Sequence, residues 1–71
     1  MSRDHRRMRS FDVLAWTESG GFVLYVPEIE ALTRAGALDE IEPAATDLIA
    51  ELLGLDPATI TVRVRFRRPR P

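Results

Sequence analysis

The sequence predicts an α+β domain in which a mixed four-stranded sheet carries one helix on one face. Between Phe11 and Glu30, two runs rich in β-branched and aromatic residues flank Glu18-Ser19-Gly20-Gly21, which predicts an antiparallel hairpin with a loop of two or four residues. Apolar residues recur with a helical period after Leu38, and strict alternation returns from Ile60. A right-handed crossover places the last strand most simply beside the first. The 71 residues therefore predict one small domain with the sheet order 3-2-1-4.

The hairpin has an apolar composition on both of its faces. Thr17 is expected to face Phe22 across the turn, because the turn sets the register. One face then holds Val13, Ala15, Leu24 and Val26, and the other holds Leu14, Trp16, Val23 and Tyr25. A hairpin at the surface of a two-layer domain would be polar on one side, so the second face needs an additional partner. After Pro27 the chain leaves the sheet at a corner, and a short third strand fits residues 31 to 34 or 35.

The helix is predicted from an apolar stripe at spacings of three and four. Its members are Leu38, Ile41, Ala45, Leu48, Ile49, Leu52 and Leu53. Pro43 is expected to begin the main helix after a kink or a 3₁₀ turn near Glu42, because proline is tolerated at the first helical position. Gly54 is predicted to be a left-handed cap, with Leu55 packing back against the helix.

The last strand is predicted from Ile60 to Phe66, after a turn at residues 56–59. Ile60, Val62, Val64 and Phe66 are expected to face the helix. Thr61, Arg63, Arg65 and Arg67 are expected to face away from it. The tail at residues 68–71 contains two prolines and is predicted to be frayed.

Charge is unevenly distributed along the chain. Residues 1–10 carry four arginines against Asp4, residues 63–71 carry five arginines, and residues 11–62 carry ten carboxylates against Arg34. The acidic middle could steer an oppositely charged partner or could simply confer solubility. Residues 1–10 are predicted to be a flexible basic arm that could also contact phosphates, unless translation starts at Met8.

Cysteine is absent, and no apolar run has the length of a membrane span or the position of a signal peptide. The absence of cysteine excludes disulfides and thiolate chemistry. A cytoplasmic protein is therefore expected.

The order strand, strand, strand, helix, strand matches the N-terminal half of a ribonuclease H fold, and a two-metal nuclease needs several carboxylates that converge near two ions. Asp12 lies on the first strand, but the last strand offers arginines where a second carboxylate is needed, and a cross-strand ion pair with Arg63 or Arg65 is expected. His5 lies in the arm, away from any serine that it could activate. We therefore expect a binding protein with no catalytic residues, no metal and no cofactor.

Two kinds of binding fit the uncovered face. The candidate interface residues are Leu14, Trp16, Val23, Tyr25, Arg63 and Arg65. Aromatic residues and arginines on an open sheet face are typical of single-stranded RNA binders. Trp and Tyr are equally typical anchors of protein interfaces, including those of homodimers. The acidic middle of the chain disfavours RNA, although the basic ends partly offset it.

Four motifs in order resemble the HicB-like antitoxins of bacterial type II toxin-antitoxin modules. They are Gly20-Gly21-Phe22, Val26-Pro27-Glu28-Ile29, Thr33 and Leu38-Asp39-Glu40-Ile41. The resemblance spans about residues 11 to 66, and the predicted domain spans residues 11–67. It implies a partial ribonuclease H fold without nuclease activity. It also implies a partner, a small basic HicA-type toxin that cleaves mRNA and is blocked when the antitoxin covers its active surface.

The sequence departs from the family pattern at two points. Glu30-Ala31 replaces the usual Pro-Gly turn after the second strand, and no helix-turn-helix or ribbon-helix-helix segment follows Phe66. In the family that segment binds operator DNA. The resemblance therefore implies a short antitoxin that lacks the family's C-terminal DNA-binding domain.

Overall fold

The structure, a computed structural model, describes residues 8–68. Its strands are β1 (Arg9–Glu18), β2 (Gly21–Val26), β3 (Ala31–Ala35) and β4 (Ile60–Phe66), and its helix is α1 (Ile41–Leu53). Single 3₁₀ turns lie at Pro27–Ile29, Leu38–Glu40 and Pro57–Thr59. β1 begins at Arg9, within the segment predicted to be the arm. Residues 1–7 of that arm, and the tail after Arg68, lie outside the described residues.

The four strands form one mixed sheet in the order β3-β2-β1-β4. β2 pairs antiparallel with β1 and with β3, whereas β4 pairs parallel with β1. Two parallel neighbours cannot be joined by a tight turn, and the connection through α1 supplies the required crossover. The predicted α+β class, the sheet order and the single helix are confirmed for residues 8–68.

A two-residue turn joins β1 to β2. Ser19 has a φ of 53° and Gly20 a φ of 81°. Positive φ at both central residues is the mark of a type I′ turn, whose twist matches that of the strands it joins. Thr17 lies opposite Phe22, as the sequence predicts. The core face of the hairpin holds the fully buried Val13, Ala15, Leu24 and Val26.

The helix begins at Ile41, two residues before the predicted start at Pro43. Pro43 is therefore the third helical residue. Backbone N–H groups in the first turn have no partner within a helix, so a proline there removes no hydrogen bond. The expected 3₁₀ turn lies at Leu38–Glu40, directly before α1.

The end of α1 is as predicted. Gly54 has a φ of 66°, which is the left-handed conformation that glycine adopts without a steric cost. The Leu55 N–H donates to the Ala50 carbonyl at 3.0 Å, and the Leu55 side chain packs against the core.

Within residues 8–68, no helix has the length and apolar character that crossing a bilayer requires.

Only part of the predicted apolar stripe reaches the core. The buried positions of α1 are Ile41, Ala45 and Ile49, with Leu48 half-buried beside them. The stripe positions that are exposed are Leu38, Leu52 and Leu53. Their assignment to the core-facing stripe is therefore wrong. A row at intervals of four is enough to contact the sheet, and Leu38 precedes the helix while the other two lie in its last turn.

The helix covers β4 unevenly. Ile60, at the start of β4, is 8% exposed, whereas Phe66, at its end, is 58% exposed. Phe66 lies opposite Ala15 and so points to the helix side of the sheet as predicted, but α1 does not cover it. Its ring instead makes an edge contact with Phe22, with 6.4 Å between the ring centroids. Phe66 therefore faces the helix side of the sheet, as expected, but remains exposed there.

Candidate interaction surfaces

The sheet face opposite α1, called here the open face, gathers the residues that the sequence proposed as an interface. Leu14 pairs with Tyr25 on one side and with Arg65 on the other, and Trp16 pairs with Val23. Asp12 lies beside Arg63 on the same face. The six predicted residues that share the open face are Leu14, Trp16, Val23, Tyr25, Arg63 and Arg65.

The open face is better covered than its sequence suggests. Val23 is only 5% exposed, and Leu14, Trp16 and Tyr25 are half-buried. The side chains therefore shield one another across neighbouring strands, as cross-strand pairs do. The apolar area that a partner could bury here is correspondingly smaller than four fully exposed side chains would offer.

The register of β3 adds two residues to the open face that sequence reasoning missed. Leu32 lies opposite Tyr25 and is 59% exposed, and Arg34 lies opposite Val23. Leu32 is therefore the most exposed large apolar side chain on this face. The alternation of β3 contained this signal, but it could be used only after the pairing of β3 with β2 was known.

Arginines border the apolar centre of the open face. The guanidinium of Arg67 lies over the Trp16 ring, with its central carbon 5.6 Å from the ring centroid. Arg63 pairs with Asp12 at 3.4 Å, which is the cross-strand ion pair expected from the sequence. Arg34 lies 4.0 Å from a carboxylate oxygen of Glu18. Both ion pairs are exposed, so each contributes little to stability, and the border keeps an excess of positive charge.

The other side of the molecule is acidic. We call residues 38–56 the helix layer, since they comprise the 3₁₀ turn, α1 and the segment that follows. The helix layer contains no lysine, arginine or histidine. Its exposed carboxylates are Asp39, Glu40, Glu42, Asp47, Glu51 and Asp56. The two sides of the sheet thus present opposite charge.

An apolar groove lies where the helix layer meets β4. Its volume is about 370 Å³, and its lining residues are Leu38, Asp39, Ile41, Glu42, Pro43, Val64 and Phe66. Leu38 and Phe66 are among the most exposed large apolar side chains in the described part of the chain. The groove exists because α1 leaves the end of β4 uncovered.

Among residues 8–68, no group of three His, Cys, Asp or Glu side chains is placed to hold a metal ion, and no polar or charged side chain is buried. His5 lies outside the described residues.

Comparison of the chain with protein-family models, with curated proteins and with solved structures finds no match.

Proposed function

We propose that this chain is a non-catalytic, antitoxin-like protein that neutralises a small basic HicA-type toxin by covering the surface with which the toxin binds and cleaves mRNA. The proposal places the chain in the cytoplasm, where such a toxin meets mRNA. It is supported by the sequence resemblance to HicB-like antitoxins and by the charge of the helix layer.

The observation that carries the proposal is the acidity of the helix layer. Six exposed carboxylates lie between Leu38 and Asp56 without one basic residue among them. A protein that binds RNA must present positive charge to the phosphates. An acidic surface is attracted to that same positive surface, so it associates with the toxin faster and competes with RNA for the toxin's binding surface.

The four motifs that resemble the family lie at definable positions in the fold. Gly20 lies in the turn of the hairpin and Gly21 begins β2, Pro27 begins the 3₁₀ turn after β2, and Thr33 lies in β3 opposite Leu24. Leu38 opens the 3₁₀ turn that leads into α1. Three of the four motifs that resemble the family thus lie at junctions between elements, and Thr33 lies within β3.

The test uses the product of the neighbouring reading frame, provided that it encodes a short basic protein. Charge reversal in Asp47→Lys with Glu51→Lys should weaken the complex by at least about tenfold and restore RNA cleavage by the toxin, because it removes adjacent charges of the helix layer. Affinity is measured by calorimetry at fixed ionic strength, and cleavage on a labelled mRNA.

The matched control is Asp12→Lys with Glu18→Lys, which changes the net charge equally but lies on the open face. It should keep toxin affinity within about twofold. Equal loss in both variants would mean that overall charge rather than the helix layer matters. No loss in the Asp47 and Glu51 variant would refute the role of the helix layer.

Binding without catalysis has its own test. The purified chain with Mg²⁺ or Mn²⁺ should leave both RNA and DNA intact. Asp12 is the candidate metal ligand, since it lies on β1 where a nuclease of this topology would place a carboxylate. Cleavage that disappears in Asp12→Ala would contradict the proposal.

Single-stranded RNA binding through the open face is the second candidate. The position of Arg67 over the Trp16 ring and the nearby Arg63 and Arg65 favour it, because aromatic rings and arginines together bind bases and phosphates. A gel-shift assay with a single-stranded RNA oligonucleotide distinguishes the two. RNA binding that is lost in Arg63→Glu with Arg65→Glu, and that occurs without any protein partner, would favour this second function.

A further inference from the structure

Among residues 8–68, β4 forms one edge of the sheet, with no further strand beside it. The strand order places it outermost beside β1, and it runs for seven residues without proline or glycine. The opposite edge, β3, has five residues. A long and regular edge strand presents unpaired backbone groups that can template another strand.

The outward backbone groups of β4 can be assigned from its pairing with β1. The Arg67 N–H donates to the Ala15 carbonyl at 2.8 Å, so it points inward. The direction of backbone groups alternates along a strand, which places those of Arg65 and Arg63 inward as well. The N–H and C=O groups of Val64 and Phe66 therefore point away from the sheet, where an added strand would bond to them.

On the helix side, this edge is bordered by the apolar groove. Val64 and Phe66 form its β4 wall, and Leu38 and Pro43 lie across from them. Leu38 is 63% and Phe66 58% exposed, so both retain apolar surface for a partner side chain. A strand added to β4 would direct every second side chain into this groove.

On the open face, the same edge is basic. Arg63 and Arg65 alternate with the groove residues, and Arg67 follows. Two copies cannot pair well through β4, because an antiparallel register centred on Val64 would set Arg63 of each copy opposite Arg65 of the other. The like charges oppose self-pairing and favour carboxylates in an added strand.

We propose that the β4 edge binds an extended peptide segment of a partner protein in which apolar and acidic residues alternate, as a fifth strand of the sheet. Its apolar side chains occupy the groove and its carboxylates face Arg65 and Arg67. Backbone hydrogen bonds to Val64 and Phe66 supply affinity, and the alternation supplies specificity. This goes beyond the proposed function, since it adds the backbone edge of β4 to the surface that is used and requires a ligand of opposite charge.

The experiment titrates the ¹⁵N-labelled full chain with the blocked peptide Val-Glu-Val-Glu-Val-Glu-Val and follows amide signals and hydrogen exchange by NMR. The amides of Val64 and Phe66 should shift and exchange more slowly on binding. The matched peptide Val-Lys-Val-Lys-Val-Lys-Val should bind at least about fivefold more weakly. The β4 arginines attract the glutamates of the first peptide across the strands and repel the lysines of the second.

Two variants test the mechanism and one controls for it. Val64→Pro removes an outward N–H without removing a bond to β1, so it should abolish binding while the NMR spectrum remains that of a folded protein. Arg65→Glu should remove the preference for the glutamate peptide. The control Arg34→Glu makes the same charge change at the β3 edge and should leave binding unchanged.

The inference is overturned by any of three results. The first is a set of shifts confined to β3 or to the helix layer. The second is equal binding of the glutamate and lysine peptides. The third is unchanged affinity in a folded Val64→Pro variant, which would show that no strand is added at this edge.

Discussion

Arg67 covers one face of Trp16, the only tryptophan of the chain, with 5.6 Å between the guanidinium carbon and the ring centroid. Trp16 lies in β1, and Arg67 directly follows β4, the parallel neighbour of β1. The Arg67 backbone N–H donates to the Ala15 carbonyl. The backbone bond holds the arginine at the level of the tryptophan. The aromatic centre of the open face is therefore shielded by the arginine beside it.

Removal of this cover should make Trp16 more accessible. Arg67→Ala is expected to raise the Stern–Volmer constant for acrylamide quenching of tryptophan fluorescence. It should also lower the free energy of unfolding by about 0.5–1 kcal/mol, the usual range for an exposed cation–π pair. Arg68→Ala serves as the control with the same charge loss. Identical quenching in the two variants would contradict the contact.

A side chain at either of two glycines should destabilise the fold, although each position has room for one. Gly20 and Gly54 have φ values of 81° and 66°, and a Cβ at either position would meet no heavy atom within 4 Å. The cost of Gly20→Ala or Gly54→Ala is thus one of backbone conformation, about 1–2 kcal/mol each in urea unfolding.

Gly36→Ala is the matched control for both glycines. The φ of Gly36 is not in the left-handed region, and its Cβ would make an ordinary contact of 3.5 Å with the Glu40 side chain. This variant should be as stable as the parent or up to about 1 kcal/mol more stable, because alanine restricts the unfolded chain. A loss at Gly36 as large as that at Gly54 would be inconsistent with these conformations.

The helix face can be tested with two truncations in neighbouring turns. Ile49 is fully buried, so Ile49→Ala should cost about 2–5 kcal/mol in the free energy of unfolding. Leu52 is 55% exposed, so Leu52→Ala should cost less than about 1 kcal/mol. Urea unfolding of both variants gives the comparison. Similar losses would place Leu52 in the core after all.

Self-association through the open face remains a prediction. We expect sedimentation equilibrium to detect a homodimer in the absence of another partner. Trp16→Ala and Leu32→Lys should both shift it toward the monomer, because they remove apolar contact area at the centre and at the exposed β3 side of the face. Leu52→Lys, on the other layer, is the control. Unchanged association and unchanged partner affinity in Trp16→Ala would leave the open face as ordinary surface.

Local chemistry explains why much of the fold could be predicted. The Gly20-Gly21 pair and the flanking β-branched runs specify a hairpin within a few residues, and the register of Thr17 with Phe22 follows from the turn alone. The helix cap at Gly54 is equally local. The sheet order required one further rule, the handedness of the crossover, and that rule depends only on element order.

The candidate site was predicted only in part. The period of two places Leu14 and Trp16 on one face whatever the tertiary structure, and the pairing of β4 with β1 brings Arg65 to them. The exposure of Leu32 and the position of Arg67 over Trp16 could not be predicted, because each depends on how far one strand is shifted against another.

The sequence by itself thus determined the elements, their order and the alternation within each strand, since these depend on turn chemistry and side-chain period. Only the tertiary structure decided which apolar residues are covered. Ile49 and Leu52 are both apolar residues of the same helical stripe, yet one is buried and the other is exposed. The difference arises because one 13-residue helix is too narrow to cover a four-stranded sheet, so that Leu38 and Phe66 are left to line a groove beside β4.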